Sequence, residues 1–166
     1  MIKTEDISQE KIWKLLEEVT DPEIPVLSVI DLGIIREVKI GDDVEIVITP
    51  TYSGCPAMDV IAMNIRFQLM GHGFQNVRIT QALSPAWTTD WMSEEGKRKL
   101  KEYGIAPPNP KQQVCHDELF SPHEAVACPH CSSHHTHRVS EFGSTPCKSL
   151  FVCDDCQEPF DYFKCH

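Results

Sequence analysis

The chain has 166 residues, 41% of them hydrophobic, and a formal charge of −10. That length holds one ordinary domain plus a small appendage, and the apolar fraction excludes wholesale disorder. The charge opposes a nucleic-acid footprint, because phosphate binding needs clustered Lys and Arg, and it suits a protein that meets proteins or small molecules.

Residues 1–20 carry no basic-then-apolar signal pattern, since Lys3, Glu5, Asp6 and Glu10 interrupt it. No apolar run approaches the ~20 residues that a membrane span needs. A cytoplasmic protein is expected, in which free and metal-bound thiols outnumber disulfides.

Ser8 is placed to cap a first helix, with Ile12, Leu15, Leu16 and Val19 at the spacing of a buried stripe. Asp21-Pro22-Glu23-Ile24-Pro25 ends it, because each proline removes a backbone donor. Ile34, Val38 and Ile40 alternate with polar residues, as do Val44, Ile46 and Ile48, and Gly41-Asp42-Asp43 between them reads as a hairpin turn. Cys55-Pro56 opens a second helix, with proline in the first helical position. Its stripe is Met58, Ile61, Ile65 and Leu69, and Gly71-His72-Gly73 stops it. Val77, Ile79 and Leu83 predict a third strand. Ser93 then caps a helix with Glu94 and Glu95 first and Lys97, Arg98, Lys99 and Lys101 later, an order that complements the helix dipole, and Gly104 closes it. The expected fold is α+β: an α-β-β-α-β body with a trailing helix over residues 1–104. A Pro-rich linker over 105–125 follows, including Ala106-Pro107-Pro108-Asn109-Pro110, and then a module over 126–166.

Seven of the eight cysteines lie in the last 52 residues. Four form the pairs Cys128-Pro129-His130-Cys131 and Cys153-Asp154-Asp155-Cys156, with 21 residues between them. Each pair can sit on a tight turn whose thiolates converge on one ion. Residues 138–142 and 149–152 supply short strands, and the whole reads as a zinc β-ribbon. Four sulfurs give Zn²⁺ a closed, structural shell, and in so small a module metal binding drives folding. Iron or an iron–sulfur cluster is the competing occupant, with Cys147 and Cys165 as spare ligands. Thiol–disulfide catalysis by Cys-Pro-His-Cys lacks its βαβ surroundings. His134, His135 and His137 are either ligands or solvated surface, and Cys115 reads as a plain linker thiol.

Cys55 stands alone in Tyr52-Ser53-Gly54-Cys55-Pro56, where a strand gives way to a helix. Unpaired N–H groups and the dipole at a helix start favour an anion. Gly54 allows a tight turn and close approach of a ligand, and Thr49, Thr51, Tyr52 and Ser53 add hydroxyls. A reactive or metal-binding thiolate is one reading, and a small residue packed behind the turn is the other. Asp21, Glu23 and Asp31 lie in the turns flanking the first strand, either near Cys55 or as loop-capping carboxylates. The body offers only His72 as a base, at the far end of the helix from Cys55, so cysteine hydrolysis is disfavoured. The chain has no Glu-x-x-His and no Gly-rich phosphate fingerprint.

Asp21-Pro22-Glu23-Ile24-Pro25, Asp31-Leu32-Gly33, Thr51-Tyr52-Ser53-Gly54-Cys55-Pro56 and the run Pro85 to Met92 resemble the MIP18 (DUF59) domain, a family linked to iron–sulfur cluster assembly. The runs Glu141 to Lys148 and Cys153 to Cys165 resemble the PaaD (PaaJ) family, accessory subunits of the phenylacetyl-CoA 1,2-epoxidase system. The resemblance covers nearly the whole chain. It implies a non-catalytic maturation role in aerobic phenylacetate degradation, with subunits of the oxygenase or its iron–sulfur reductase as partners. It makes Cys55 the candidate ligand of a transient iron or iron–sulfur cluster, with Asp21 and Glu23 at signature positions. Structural Zn²⁺ is expected on Cys128, Cys131, Cys153 and Cys156. The alternative is a redox or electron-transfer component with iron at these C-terminal cysteines.

Overall fold

Ser8 stands at the head of α1 (Gln9–Glu17), where its side-chain oxygen accepts from the Lys11 backbone N–H and satisfies one of the donors that a helix start leaves unpaired. The structure, a computed structural model, describes residues 8–108 and 126–164. The chain divides into two units, 1–93 and 94–166. Ile12, Leu15 and Leu16 of α1 are buried, as their spacing predicts, and Val19 is buried too but lies past the helix end, where its carbonyl accepts from the Val29 N–H.

In the first unit β1 (Ile35–Ile40) and β2 (Val44–Ile48) form an antiparallel hairpin around Gly41-Asp42-Asp43. β3 (Val77–Gln81) pairs with β2 in parallel, giving the order β1-β2-β3. A parallel partner demands a crossover, which α2 (Ala57–Gly71) supplies. Val44, Ile46 and Ile48 are buried, and so are Met58, Ile61, Ile65 and Leu69 of the helix. α2 closes through Gly73 at φ 94°, with Gly73 N–H donating to Met70 O and Phe74 N–H to Leu69 O, a termination that needs a left-handed residue. Two expectations shift. A register irregularity between Ile35 and Glu37 breaks strict alternation in β1, so that Ile35 and Val38 are both buried, whereas Ile40, two residues after Val38 in regular register, is exposed at the strand end. β3 stops at Gln81, which leaves Leu83 outside the strand and exposed.

Residues 87–93 strap the turn Asp31-Leu32-Gly33. Trp87 Nε1 donates to Leu32 O at 2.8 Å, the Ser93 N–H donates to Asp31 O at 2.9 Å, and Ser93 Oγ donates to Asp31 Oδ1 at 2.9 Å. The Arg36 guanidinium lies 3.5 Å over the Trp91 ring. Gly33 permits this closeness: its φ is 67°, and a Cβ there would stand 2.1 Å from Trp91 O. Gly33→Ala is therefore expected to destabilise the body by roughly 2–4 kcal/mol. Gly54 also has positive φ but open space around its Cβ position, so Gly54→Ala should cost only about 1 kcal/mol. Denaturant titration of both variants checks the contrast.

The second unit opens with α3 (Glu94–Tyr103), where Arg98 pairs with Glu95 and Glu102, and Gly104 follows at φ 91°. β4 (Ile105–Ala106), β5 (Thr136–Ser140), β6 (Lys148–Cys153) and β7 (Pro159–Phe163) form one sheet in the order β4-β7-β6-β5, with β4 parallel to β7. The sequence reading puts this helix at the end of a body over 1–104 and begins the linker at 105. Here α3 falls in the second unit and Ile105–Ala106 is an edge strand. Residues 109–125, including Cys115, and Cys165 lie outside the described residues. Ala106, Val126, Cys128, Phe151, Cys153, Phe160 and Tyr162 form a core cluster. In it the Phe151 ring stacks on Phe160 at 5.9 Å and meets Tyr162 edge-on at 5.6 Å. Among the described residues no helix is long and apolar enough to cross a membrane.

Candidate metal centre and the thiol of the body

The two cysteine pairs occupy the same local structure twice. The residue four places after each first cysteine, Ser132 or Gln157, takes φ 63°. Its N–H donates back to the cysteine carbonyl: Ser132 to Cys128 O and Gln157 to Cys153 O, both at 2.9 Å. The first cysteine's own N–H closes the turn, from Cys128 to Ser133 O at 2.8 Å and from Cys153 to Glu158 O at 3.1 Å. The N–H groups of Ser133 and Glu158 also donate to the sulfurs of Cys131 and Cys156, and those of Cys156 and Asp155 to the sulfur of Cys153. Such donors stabilise thiolates. Neither left-handed position carries the glycine that would have flagged it, and only the matched place after each Cys-x-x-Cys hints at it.

All four sulfurs lie within 4.8 Å of one another, with Cys128 and Cys156 at 3.7 Å and Cys131 and Cys153 at 3.5 Å. A Zn–S bond of about 2.3 Å sets the edge of a sulfur tetrahedron at roughly 3.8 Å. The quartet therefore fits one tetrahedral ion, whereas a cluster places several metal atoms between its sulfurs and spreads them. In the metal-free quartet the thiols hold their protons unequally. Cys153 is lowered to about 7, chiefly because the Cys156 N–H donates to its sulfur. At Cys156 the Glu158 N–H favours the thiolate, but burial and the neighbouring thiols outweigh it and push the group up to about 12. Cys131 is raised as well, the Ser133 N–H being outweighed by burial and by Cys153. The ion-bound quartet carries fewer protons than the free one, so affinity rises with pH and is lost as pH falls. Titration from about pH 8 to about pH 5 in the presence of a chromogenic chelator is expected to release the ion.

The polar residues beside the quartet pair with one another. Asp155 accepts from Ser133 Oγ and lies 3.2 Å from His135 Nδ1, and Asp154 lies 2.9 Å from His137 Nδ1. The Asp154 N–H donates to His135 O at 2.8 Å, linking the second cysteine turn to the segment after the first. Among the described residues the quartet is the one converged group of three or more His, Cys, Asp or Glu side chains, so His134, His135 and His137 do not extend it. Cys147 is buried elsewhere, its sulfur 3.0 Å from Thr145 Oγ1.

In the body Cys55 is half-buried and immediately precedes Pro56, which occupies the cap position of α2, with Ala57 the first helical residue. The Cys55 N–H donates to Tyr52 O at 3.3 Å, and Cys55 O accepts from the Met58 N–H at 3.2 Å, so the cysteine is built into the helix start. Asp21 Oδ1 accepts from the N–H groups of Glu23 and Ile24, both at 2.8 Å, which is a turn-capping role after α1. Asp31 is buried and serves the strap. Among the described residues Cys55 joins no group of three metal-ligating side chains. His72 sits at the opposite end of α2, its Nδ1 2.9 Å from Gln68 O. Thr49, the first of the hydroxyl residues that lead to Cys55, is only 1% exposed, and its hydroxyl has no hydrogen-bond partner among the described residues. Replacing an orphan hydroxyl by a methyl group removes a desolvation penalty, so Thr49→Val is expected to raise stability by about 1 kcal/mol in thermal melts.

These parts define a small α+β domain with one thiol at a helix start, followed along the chain by a four-cysteine metal ribbon. The family described as iron–sulfur cluster assembly protein matches residues 9–71, and the PaaD zinc beta ribbon domain matches residues 112–164. The chain is 51% identical over 156 residues to an Escherichia coli (strain K12) protein, one subunit of what is named "Putative 1,2-phenylacetyl-CoA epoxidase", covering 93% of this chain and 92% of that one. It is 40% identical over 96 residues to a Porphyromonas gingivalis Fe-S protein maturation auxiliary factor, covering 56% of this chain and 90% of that one. The crystal structure of a DUF59 domain from Bacillus anthracis is similar at a TM-score of 0.52 and 25% identity, over 55% of this chain and 89% of that one. The chain belongs to the PaaD family, in which a DUF59 (MIP18) domain precedes a zinc ribbon.

Proposed function

We propose that this protein is a non-catalytic maturation factor for the multicomponent phenylacetyl-CoA 1,2-epoxidase. In this reading Cys55 carries iron or an iron–sulfur unit as cargo toward the oxygenase or its iron–sulfur reductase, and the ribbon holds one structural zinc. The contrast between the two thiol sites carries the proposal. The ribbon quartet is a complete ligand set with two buried members, Cys128 and Cys153, as a structural ion requires. Cys55 is a single half-buried thiol beside an open glycine turn, which suits a ligand that must be given up. The names of the relatives, an epoxidase component and a maturation factor, support the same pairing of target and task.

Co-expression of the oxygenase and reductase with and without this chain tests the idea. Lower iron content and activity in the partners made without it are expected, and unchanged partners would refute it. A single iron also satisfies four thiolates, which keeps an electron-transfer reading alive. One zinc per chain and no visible absorption bands in anaerobically purified protein would end that reading.

A further inference from the structure

The four sulfurs of the quartet differ in their access to solvent. Cys128 and Cys153 are fully buried and Cys156 is half-buried, but Cys131 is exposed, with exposed His130 and Ser132 on either side of it. Oxidants attack the thiolate form of cysteine, and attack needs access. Binding an ion holds all four groups as thiolates, and Cys131 alone adds full exposure. A second thiol stands ready for it. The Cys153 sulfur lies 3.5 Å from that of Cys131, across the two turns and shielded from solvent, and a disulfide closes that distance to about 2.05 Å. Two bonds that do not involve the ion keep the turns side by side. The Asp154 N–H donates to His135 O at 2.8 Å, and Ser133 Oγ donates to Asp155.

We propose that Cys131 is an oxidation site for hydrogen peroxide and Cys153 its resolving thiol, which makes the quartet a reversible thiol switch. The Cys131 sulfur attacks one peroxide oxygen and the O–O bond breaks. The sulfur becomes a sulfenic acid, and the hydroxide that leaves takes up a proton. The Cys153 thiolate then attacks the Cys131 sulfur and the S–O bond breaks. A second hydroxide leaves and takes up a second proton. One peroxide gains two electrons, two thiolates lose two and join in one disulfide, and two waters form. Capture by Cys153 also keeps the Cys131 sulfur from climbing to the irreversible sulfinic acid. The ion retains only Cys128 and Cys156, half of the closed set that a structural zinc takes, and it leaves. A dithiol reductant returns both thiolates by exchange, and fresh zinc rebuilds the site.

The full zinc-loaded chain treated with hydrogen peroxide tests this. A chromogenic chelator follows zinc, and mass spectrometry after alkylation of the remaining thiols maps the disulfides. One zinc released for each Cys131–Cys153 disulfide is expected, with both changes undone by dithiothreitol and added zinc. Cys131→His keeps an ion-binding side chain at the exposed place but removes its oxidisable sulfur. It should release zinc about tenfold more slowly than the parent, whereas Cys156→His should release it at the parent's rate. Zinc that the parent keeps under peroxide would overturn the proposal, as would oxidation confined to Cys55. So would a first disulfide that lies within either Cys-x-x-Cys or joins Cys128 to Cys156, and so would equal rates in the two histidine variants. If a histidine variant binds no zinc, the disulfide mapped in the parent still decides. None of these measurements uses the maturation assay, so the two proposals fail separately.

Discussion

Cys153→Ser is expected to strip the second unit of its ion and unfold its sheet. Cys153 has two jobs at once: it is one of the four converged ligands, and it is fully buried in the cluster with Phe151, Phe160 and Tyr162. Changes around a metal site that spare the ligands already cost about 10–100-fold in affinity, so loss of a ligand should cost more. The serine hydroxyl would also be buried among aromatic rings. Metal content after dialysis and limited proteolysis of residues 126–164 read both effects. Cys131→Ser separates the causes, because Cys131 is exposed and outside that cluster. If the ion holds the sheet together, both variants become protease-sensitive and lose metal. A ribbon that stays protease-resistant in Cys131→Ser after losing its metal would show that packing alone sustains it.

The local patterns were readable and the distant ones were not. Ile12, Leu15 and Leu16 declare a buried face because their period lies within one helix, and the quartet declares itself because Cys-x-x-Cys fixes each turn locally. Ile105–Ala106 became a strand only because β7 lies beside it, more than 50 residues later, and two residues carry too little pattern to announce that. The bulge in β1 is equally invisible to a strict alternation. Gly33 could be noticed in the sequence, but its reason, a Trp91 carbonyl pressed against it, is a contact across 58 positions. Ser132 and Gln157 hide for a different cause: the quartet's turns hold ordinary residues in a left-handed conformation that glycine usually signals. At Cys55, Pro56 marked the helix start, and the structure moved that start by one residue. Asp21, Glu23 and Asp31 were legible only as alternatives, and Asp21 caps its own turn.

Cys55→Ser is expected to leave the fold intact and to reduce the oxygenase and reductase to the metal content they reach without this chain. The substitution changes the ligand and little else: sulfur becomes oxygen, a poor ligand for iron, at nearly constant shape. Cys55 is half-buried, its backbone bonds to Tyr52 and Met58 do not involve the side chain, and Gly54 leaves the adjoining space open. A stability change within about 0.5 kcal/mol is therefore expected. Cys55→Ala is the informative companion. If the thiol mattered only as a small apolar filler, alanine would preserve maturation and serine would destabilise the turn. If it binds cargo, both variants fail in maturation while both melt like the parent. Asp21→Asn should keep the acceptor oxygen that caps residues 23 and 24 while removing the charge. Maturation that survives Asp21→Asn but not Cys55→Ser would assign the cargo to the thiol and leave Asp21 with the turn.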